Sequence, residues 1–342
     1  MTRYQRQTAL PEIGTAGQQK LLEAHVLVIG CGGLGGPVAA YLTGAGVGTL
    51  TLIDGDHPEE SNLHRQVFFQ SGARENKATL LARHCHQLNP GTRVCAHENY
   101  LEADNVQALV EAADLVVECT DHALTKHLVS DVCHLLGKPL VYAAVHKYEG
   151  YLALFPNDNR DDLHLRDLFP APDPTLPDCA TAGILPTAVG IVALLQANAA
   201  LCYLLGIGDP PVRQLLTYRA LDNQQHRLKL RKTYIRPVSP PWKTAAPTRA
   251  ELETDATEAD FPAYDLVFSM LDDQREPVLP AGVIRLTKRN PFGQCLKRMK
   301  AGGRYLIYCN SGKLSLMLAA QLRKHDPEIG VVSLRTGKPV LE

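Results

Sequence analysis

The stretch His25-Val26-Leu27-Val28-Ile29-Gly30-Cys31-Gly32-Gly33-Leu34-Gly35-Gly36 decides the fold of the first part of this chain. Its opening residues are apolar and largely β-branched, which is typical of a strand buried in a parallel sheet. The glycines Gly30, Gly32 and Gly35 follow at the spacing G-x-G-x-x-G, and a helix is predicted over about 34–45. Such glycines allow a tight turn and a close approach of the backbone to phosphate. The stretch predicts a nucleotide site, and the alternative is that the glycines serve only helix–strand packing.

Strands and helices alternate along the chain after this stretch. Further strands are predicted at 49–54, 93–96, 115–119, 140–144 and 151–155. Helices are predicted at 77–88, 106–112 and 124–136. This alternating order predicts an α/β fold with a doubly wound, mostly parallel sheet.

Composition and charge argue against some classes of binding partner. The chain has 342 residues with 35 Lys+Arg and 36 Asp+Glu, so its net charge is −1, and we expect no nucleic-acid partner because no broad basic field exists. The nine cysteines include no Cys-x-x-Cys pair, and residues 1–19 lack an apolar signal segment, so we expect a cytoplasmic protein with reduced thiols. Residues 185–208 carry no charge and have the length of a membrane span. We favour a buried core or interface helix there over a membrane helix, and expect no membrane association.

A change of composition separates two predicted domains. Residues 236–262 contain five prolines with acidic residues between them, which is typical of an interdomain linker. The predicted organisation is therefore a nucleotide-binding domain over 1–235, a Pro-rich linker over 236–262 and a smaller α/β domain over 263–342.

Charged and amide side chains follow the predicted strands of the first domain. Asp54 ends the second strand, at the distance expected for an acid that holds ribose hydroxyls. Asp56, the run Ser61-Asn62-Leu63-His64-Arg65-Gln66, and Lys77 come next. Two cations near a glycine loop suit a triphosphate better than a nicotinamide. Asp121 follows a later strand, where it is placed to hold Mg²⁺. We therefore favour ATP over the dinucleotide of an oxidoreductase.

These residues together resemble the ThiF/MoeB/HesA family, the bacterial relatives of ubiquitin-activating enzymes. The matching segments are Arg3-Tyr4-Gln5-Arg6-Gln7, the glycine loop, Asp54-Gly55-Asp56, Ser61-Asn62-Leu63-His64-Arg65-Gln66, Lys77, Asn89-Pro90, Cys119-Thr120-Asp121 and Cys179-Ala180-Thr181-Ala182-Gly183. The resemblance covers residues 1–230 and implies a Rossmann-like sheet.

The resemblance also implies an activity and roles for single residues. The chain would use ATP to adenylate the C-terminal glycine of a small ubiquitin-like sulfur-carrier protein that ends in Gly-Gly. Asp54 would bind ribose, Arg65 and Lys77 would hold the triphosphate, and Asp121 would position Mg²⁺. Arg6 would reach into the ATP site of a partner subunit, which implies a homodimer. The candidate nucleotide-binding residues are Gly30, Gly32, Gly33, Gly35, Asp54, Asp56, Asn62, Arg65, Gln66, Lys77, Asp121 and His122.

The chain departs from the family pattern at several positions, including residues 71–76, which lack the usual combination of Gly and Pro before the lysine. Family members commonly hold a structural zinc ion with two Cys-x-x-Cys pairs, which would fall near residues 155–169 and near residue 231. Neither pair exists here, and a closed zinc site needs four such ligands, so we expect no zinc. His122 stands where the family usually has Asn.

The second predicted domain contains its own candidate nucleophile. A strand at 304–308 leads into Cys309-Asn310-Ser311-Gly312-Lys313-Leu314-Ser315, followed by a helix at 315–325 and a strand at 329–334. Backbone N–H groups and a helix N-terminus near Cys309 favour its thiolate. The pattern Cys-x-x-Gly-x-x-Ser resembles the active loop of rhodanese sulfurtransferases. That resemblance implies a rhodanese-like domain with a persulfide on Cys309, loaded by a donor such as a cysteine desulfurase.

The leading hypothesis is adenylation of a sulfur carrier followed by sulfur transfer to give a thiocarboxylate, with Cys309 as the persulfide cysteine. Cys179 is either an acceptor in acyl transfer or a structural residue. The alternatives are an adenylating enzyme without sulfur transfer, a nucleotide-binding scaffold, and a degenerate second domain that serves only for docking.

Overall fold

A computed structural model describes residues 3–159, 161–172, 183–241, 248–272, 275–287, 289–335 and 337. The described residues up to 241 form one compact unit, and those from 248 onward form a second. Each unit is built around a sheet of its own.

The first unit contains an eight-stranded sheet in the order β3-β2-β1-β4-β5-β6-β7-β8. Its strands are β1 (His25–Ile29), β2 (Thr49–Ile53), β3 (Arg93–His97), β4 (Leu115–Glu118), β5 (Leu140–His146), β6 (Glu149–Phe155), β7 (Gln214–Arg219) and β8 (Gln224–Lys229). Strands β1 to β5 are parallel, and β6, β7 and β8 extend the sheet as an antiparallel meander. The doubly wound, mostly parallel sheet is confirmed, whereas the sequence analysis did not predict β7 and β8.

The helices of this unit cover both faces of the sheet. They are α1 (Gln5–Thr8), α2 (Gly14–Glu23), α3 (Gly35–Ala45), α4 (Lys77–Leu88), α5 (Val106–Ala112), α6 (Ala123–Leu136) and α7 (Pro186–Leu205). Successive side chains of a strand point to opposite faces. In β1, Val26 and Val28 pack with α3, α4 and α7. Leu27 and Ile29 pack on the other face with α5 and α6, which explains why this strand is apolar throughout.

Helix α7 forms most of the uncharged stretch over 185–208. By length and composition this helix could cross a membrane, and half of its most apolar 18-residue segment is buried inside the protein. Gln196 is fully buried in its middle. Its amide donates to the backbone oxygens of Glu118 at 2.8 Å and Val141 at 3.2 Å. The stretch therefore packs as a core helix against the ends of β4 and β5.

The second unit contains a five-stranded parallel sheet in the order β11-β10-β12-β13-β9. Its strands are β9 (Glu253–Thr254), β10 (Leu266–Ser269), β11 (Val283–Arg285), β12 (Arg304–Tyr308) and β13 (Gly330–Leu334). Its helices are α8 (Arg249–Leu252), α9 (Pro291–Leu296) and α10 (Lys313–His325). The core on one face joins Phe268, Ile307 and Val331 of the sheet to Leu318 and Leu322 of α10.

The predicted linker over 236–262 is wrong in its second half. Thr248 and Glu251 form a capping box that starts α8, and Thr257 and Asp260 form another at the start of a 3₁₀ helix. Strand β9 pairs with β13 at the edge of the second sheet. These reciprocal caps satisfy the backbone donors of short helices. The second unit therefore includes residues 248–262, and Pro262 lies inside the 3₁₀ helix.

Candidate functional site

The glycine loop lies at the carboxyl end of β1 and leads directly into α3. A Cβ atom placed on Gly35 would lie 1.9 Å from the carbonyl oxygen of Gly30, so only glycine fits there. Within the described part of the chain, the backbone N–H groups of Gly32 and Gly33 donate to no other residue. Free N–H groups at a helix N-terminus attract anions. The loop can therefore donate hydrogen bonds to phosphate oxygens.

Asp54 lies at the end of β2 and holds this loop by hydrogen bonds. Its carboxylate accepts the backbone N–H of Cys31 at 2.7 Å and that of Asp56 at 2.8 Å. Burial raises the pKa of Asp54 to about 6, with a further contribution from Asp56, while Lys77 and the two backbone donors act in the opposite direction. A half-buried carboxylate beside the loop is suited to accept hydrogen bonds from ribose hydroxyls.

Lys77 lies next to these acids at the first position of α4. Its backbone N–H donates to the carbonyl oxygen of Asp56 at 2.9 Å, and its ammonium lies 3.4 Å from the carboxylate of the same residue. The hydroxyl of Tyr100 donates to that carboxylate as well. Asn76 caps α4 and also donates to the carbonyl oxygen of Asp54 at 2.8 Å. The structure thus brings Asp54, Asp56 and Lys77 together, as the spacing predicts.

The segment around the 3₁₀ helix Glu60–Asn62 supplies a second cation and an amide. The guanidinium of Arg65 donates to the amide oxygen of Asn62 at 2.6 Å. Gln66 is buried, and among the described residues its amide oxygen has no hydrogen-bond partner. A Cβ atom on Gly32 would lie 3.1 Å from the amide nitrogen of Gln66. A buried acceptor beside the loop fits a ligand that carries hydrogen-bond donors, as a nucleotide does.

Asp121 and His122 follow β4, the strand beside β1 on the other side of the loop. A Cβ atom on Gly30 would lie 3.0 Å from the carbonyl carbon of Cys119, so the turn after β4 contacts the glycine loop. Asp121 is exposed there. His122 is the N-cap residue of α6, and its Nδ1 atom lies 3.0 Å from the hydroxyl of Thr125. An exposed carboxylate across the loop from Lys77 fits an oxygen ligand of Mg²⁺.

A buried ion pair below this turn was missed by the sequence analysis. Glu118 ends β4 with no exposed surface, and its carboxylate pairs with the ammonium of Lys126 from α6. The same carboxylate accepts the backbone N–H of Thr120 at 2.8 Å, and Lys126 also donates to the carbonyl oxygen of Ala143 at 2.7 Å. Burial raises the pKa of Glu118, and Lys126 only partly offsets this. The sequence contains a signal for this pair. Glu118 ends the otherwise apolar strand Leu-Val-Val-Glu, and a buried charge requires a partner.

Arg6 does not approach the glycine loop of its own chain. Helix α1 packs beside the far ends of α3 and α4, where Gln7 donates to the carbonyl oxygen of Ala45 at 2.9 Å and Asn89 donates to the hydroxyl of Tyr4 at 2.8 Å. Helix α3 begins at the loop, so its 11 residues place its end about 15 Å away. Arg6 is exposed, and it pairs with no residue that the structure describes.

The region where the family's zinc ligands would fall is held by hydrogen bonds. The carboxylate of Asp167 accepts the backbone N–H groups of Thr233 at 2.7 Å and Tyr234 at 2.8 Å. Lys232 donates to the carbonyl oxygen of Asp162 at 2.7 Å. In the parts of the chain that are described, no group of three or more His, Cys, Asp or Glu side chains could hold a metal ion. The absence of zinc remains a prediction.

Cys309 lies between β12 and α10 in the second unit, and only 2% of its surface is exposed. Its sulfur accepts the backbone N–H of Ser315 at 3.5 Å and the hydroxyl of the same residue at 3.3 Å. Gly312 has a φ angle of 77°, and a Cβ atom there would lie 2.7 Å from the carbonyl oxygen of Arg335. The cysteine thus sits in a tight, closed loop at a helix N-terminus. Cys179 lies outside the described residues.

Comparison with known proteins decides the family of the first unit. The model of the ThiF family matches residues 4–236. The chain belongs to the ThiF family.

Relatives of known name agree with this assignment. The chain is 40% identical over 247 residues to the "Sulfur carrier protein adenylyltransferase" of Thermus thermophilus, covering 70% of this chain and 90% of that protein. It is 40% identical over 244 residues to the "Adenylyltransferase and sulfurtransferase uba4" of Emericella nidulans, covering 67% of this chain but 50% of that protein. It is 37% identical to the "Probable adenylyltransferase/sulfurtransferase MoeZ" of Mycobacterium tuberculosis, of which 60% is covered.

Solved structures support the fold. The chain resembles E. coli MccB with a TM-score of 0.60 and 20% identity, covering 70% of this chain and 74% of that one. The crystal structure of E. coli MccB with ATP gives a TM-score of 0.56 and 21% identity, covering 65% and 67%. At this identity the likeness concerns the fold alone.

Proposed function

We propose that this protein is an adenylyltransferase that uses ATP to activate the C-terminal glycine of a small sulfur-carrier protein, and that its second unit supplies sulfur. The observation that carries the proposal is the glycine loop of a ThiF-family chain: the N–H groups of Gly32 and Gly33 donate to no described residue, and a Cβ atom on Gly33 would lie 3.5 Å from the side chain of Arg65. The names of the relatives support the same activity.

The first step joins the carrier to the nucleotide. The terminal carboxylate attacks the α-phosphorus, the bond from that phosphorus to the bridging oxygen breaks, and pyrophosphate leaves. Lys77 and Arg65 stabilise the negative charge that develops on the phosphates, and the loop N–H groups hold their oxygens. Asp54 orients the ribose by accepting hydrogen bonds from its hydroxyl groups. Asp121 would hold Mg²⁺, which neutralises charge on the leaving pyrophosphate when it is bound.

The second step replaces AMP by sulfur. The terminal sulfur of a persulfide on Cys309 attacks the activated carbonyl carbon, AMP leaves, and an acyl disulfide joins the carrier to Cys309. A second thiolate attacks the Cys309 sulfur of that disulfide, which releases the thiocarboxylate and leaves a protein disulfide. Cys179 is our candidate for the second thiol, and a cellular dithiol would reduce the disulfide afterwards. A persulfide such as that of a cysteine desulfurase would reload Cys309.

We further propose that the protein acts as a homodimer in which Arg6 completes the partner's ATP site. The support is the position of Arg6 at the far end of α3 and α4, where it is exposed and remote from its own loop. Mixing Arg6→Ala protein with Asp121→Ala protein should then restore about a quarter of wild-type activity, because half of the subunit pairs are mixed and each has one intact site. Subunit exchange must be verified by mass spectrometry. A mixture that stays inactive after proven exchange contradicts the role of Arg6 across the interface.

A second candidate is an adenylating enzyme whose second unit serves only for docking. The near-complete burial of Cys309 favours it, because an attacking sulfur must be reached by its substrates.

The deciding experiment uses the full chain, ATP and a carrier that ends in Gly-Gly. Carrier-dependent exchange of pyrophosphate into ATP is expected, and it should vanish with a carrier that lacks the last glycine. With a persulfide donor added, the carrier should gain 16 Da, the difference between sulfur and oxygen. Exchange without this gain supports the second candidate, and the absence of exchange contradicts both.

A further inference from the structure

The ion pair of Glu118 and Lys126 lies below the turn that carries Asp121. Glu118 has no exposed surface, and the side chain of Lys126 is 11% exposed. Taking two charges out of water costs free energy that their attraction only partly returns, and apolar side chains of similar size are often at least as stable in such a position. The stability of the first unit therefore does not account for two charged side chains here.

The two oxygens of the Glu118 carboxylate bind different elements. One accepts the backbone N–H of Thr120 at 2.8 Å and also the hydroxyl of that residue. The other accepts the ammonium of Lys126. That ammonium also donates to the carbonyl oxygen of Ala143 at 2.7 Å and lies 4.9 Å from the ring centroid of Tyr142. The carboxylate thus joins the turn after β4 to α6, and the ammonium joins α6 to β5.

Asp121 lies between two fixed points of the chain. Before it, Thr120 is bound by the Glu118 carboxylate. After it, His122 is the N-cap residue of α6, and its carbonyl oxygen accepts the backbone N–H of Lys126 at 3.0 Å. Since Lys126 pairs with Glu118, these contacts close a ring around the turn. The ion pair therefore holds the backbone on both sides of Asp121.

We infer that Glu118 and Lys126 are positioning residues for adenylation, which hold the turn so that the Asp121 carboxylate can serve as an oxygen ligand of nucleotide-bound Mg²⁺. The inference rests on the proposed function of the first unit. Both residues act through the backbone of residues 119–122. Mg²⁺ requires oxygen ligands in nearly ideal octahedral geometry, so a ligand on a turn needs a backbone that does not shift. Groups that orient a metal ligand typically contribute about 10- to 100-fold to metal affinity.

The test measures the binding of α,β-methylene-ATP to the full-length protein by calorimetric titration, once with Mg²⁺ and once with EDTA. This analogue cannot be cleaved between its α- and β-phosphates, so the ratio of the two affinities reports the gain from the metal without catalysis. Glu118→Leu combined with Lys126→Met replaces the ion pair by apolar side chains and leaves no unpaired charge. This apolar variant should bind like wild type in EDTA, and its gain from Mg²⁺ should be about tenfold smaller. A general loss of structure would lower both affinities.

A second variant tests the contact with the turn without changing a buried charge. Thr120→Ala removes the hydroxyl that donates to Glu118, and Thr120→Ser keeps it. The gain from Mg²⁺ should fall about threefold in the alanine variant and stay at the wild-type value in the serine variant. The comparison of these two variants decides the matter if the apolar variant does not fold.

Another ion pair of α6 provides the matched control. Asp131 lies further along the helix and accepts two hydrogen bonds of 2.7 Å from Arg166, and the two side chains are 13% and 19% exposed. Asp131→Leu combined with Arg166→Met removes this pair and should keep the wild-type gain from Mg²⁺.

The outcomes separate the inference from the proposed function. The inference is overturned if Thr120→Ala and the folded apolar variant keep the full gain from Mg²⁺, or if the control variant loses as much of it. A wild-type protein that binds the analogue no better with Mg²⁺ than with EDTA contradicts the proposed function instead. The same holds if Asp121→Ala keeps the full gain, because Asp121 then holds no metal.

Discussion

The glycine loop of the first unit and the cysteine loop of the second have the same local construction and opposite accessibility. Each joins a buried parallel strand to the N-terminus of a helix, at α3 and at α10. In the first loop, the N–H groups of Gly32 and Gly33 have no acceptor among the described residues and can donate to a ligand. In the second, the N–H of Ser315 is already bound to Cys309. The same backbone geometry therefore serves two purposes. In one loop its N–H groups can bind an external anion, and in the other an N–H group binds the protein's own sulfur.

The largest expected effect disables the candidate ATP site of the first unit and leaves the cysteine loop of the second unit unchanged. Asp121→Ala should reduce carrier-dependent ATP–pyrophosphate exchange by at least about a thousandfold, because the ligand proposed for the metal at the leaving pyrophosphate is removed. Alkylation of Cys309 should be unchanged. Asp209→Ala, which removes an exposed partner of Arg227, is the matched control. Exchange at the wild-type rate would show that Asp121 does not hold the metal.

The converse change removes the sulfur of the cysteine loop and leaves the glycine loop unchanged. Cys309→Ser should leave ATP–pyrophosphate exchange intact but stop thiocarboxylate formation from a persulfide donor. Free sulfide should restore part of the product, because the activated carbonyl is still formed. Cys202→Ser, which changes a half-buried cysteine of the first unit, should behave as wild type. A carrier that gains 16 Da at an undiminished rate without added sulfide would show that the second unit takes no part.

A smaller effect should appear in the pH dependence of ATP binding at the glycine loop. The pKa of Asp54 is raised to about 6, so this carboxylate takes up a proton as the pH falls through that value. A neutral carboxylic acid accepts hydrogen bonds from hydroxyl groups less well than a carboxylate does, and the affinity for ATP should fall by up to about tenfold between pH 7 and pH 5. Calorimetric titration of wild type and Asp54→Asn measures this. The variant should bind more weakly and lack this part of the pH dependence, and equal slopes in both proteins would refute the assignment.

The smallest effect concerns the stability of the first unit. His164 is buried and its pKa is lowered to about 4 by burial and by His134, whose ring centroid lies 4.4 Å away. The neutral ring accepts the backbone N–H of Arg166 at 3.3 Å. The folded state therefore prefers neutral His164, so its contribution is complete above about pH 6.5 and is lost as the pH falls toward 4.

Urea unfolding at pH 7 and pH 5 should show this loss as about 1–2 kcal/mol. His164→Gln keeps an acceptor that does not titrate in this range, and it should remove that part of the decrease. The transition of the second unit serves as an internal reference, since His164 belongs to the first. A decrease of the same size in the variant would assign the pH effect to other groups.

Much of the fold could be predicted because its signals are local. Helices α4 and α5 begin and end where the sequence places them, since Asn76 caps the first and apolar periodicity defines both. The edge hairpin of β7 and β8 was missed because β8 is exposed along its whole length and has no apolar alternation. The structured part of the linker was missed because its pairing partner, β13, lies some 80 residues further along the chain.

The sequence by itself predicted that Asp54, Arg65, Lys77 and Asp121 lie near one edge of the sheet, because the carboxyl ends of adjacent parallel strands must meet there. Only the tertiary structure decided which side chains support them. Glu118 and Lys126 are eight residues apart and become partners only when α6 packs against β4. Ser315 and Ser333 meet behind Cys309 only because β13 pairs with β12. Sequence motifs identify candidate ligand-binding residues. The contacts that hold those residues in place depend on how elements distant in the sequence pack together.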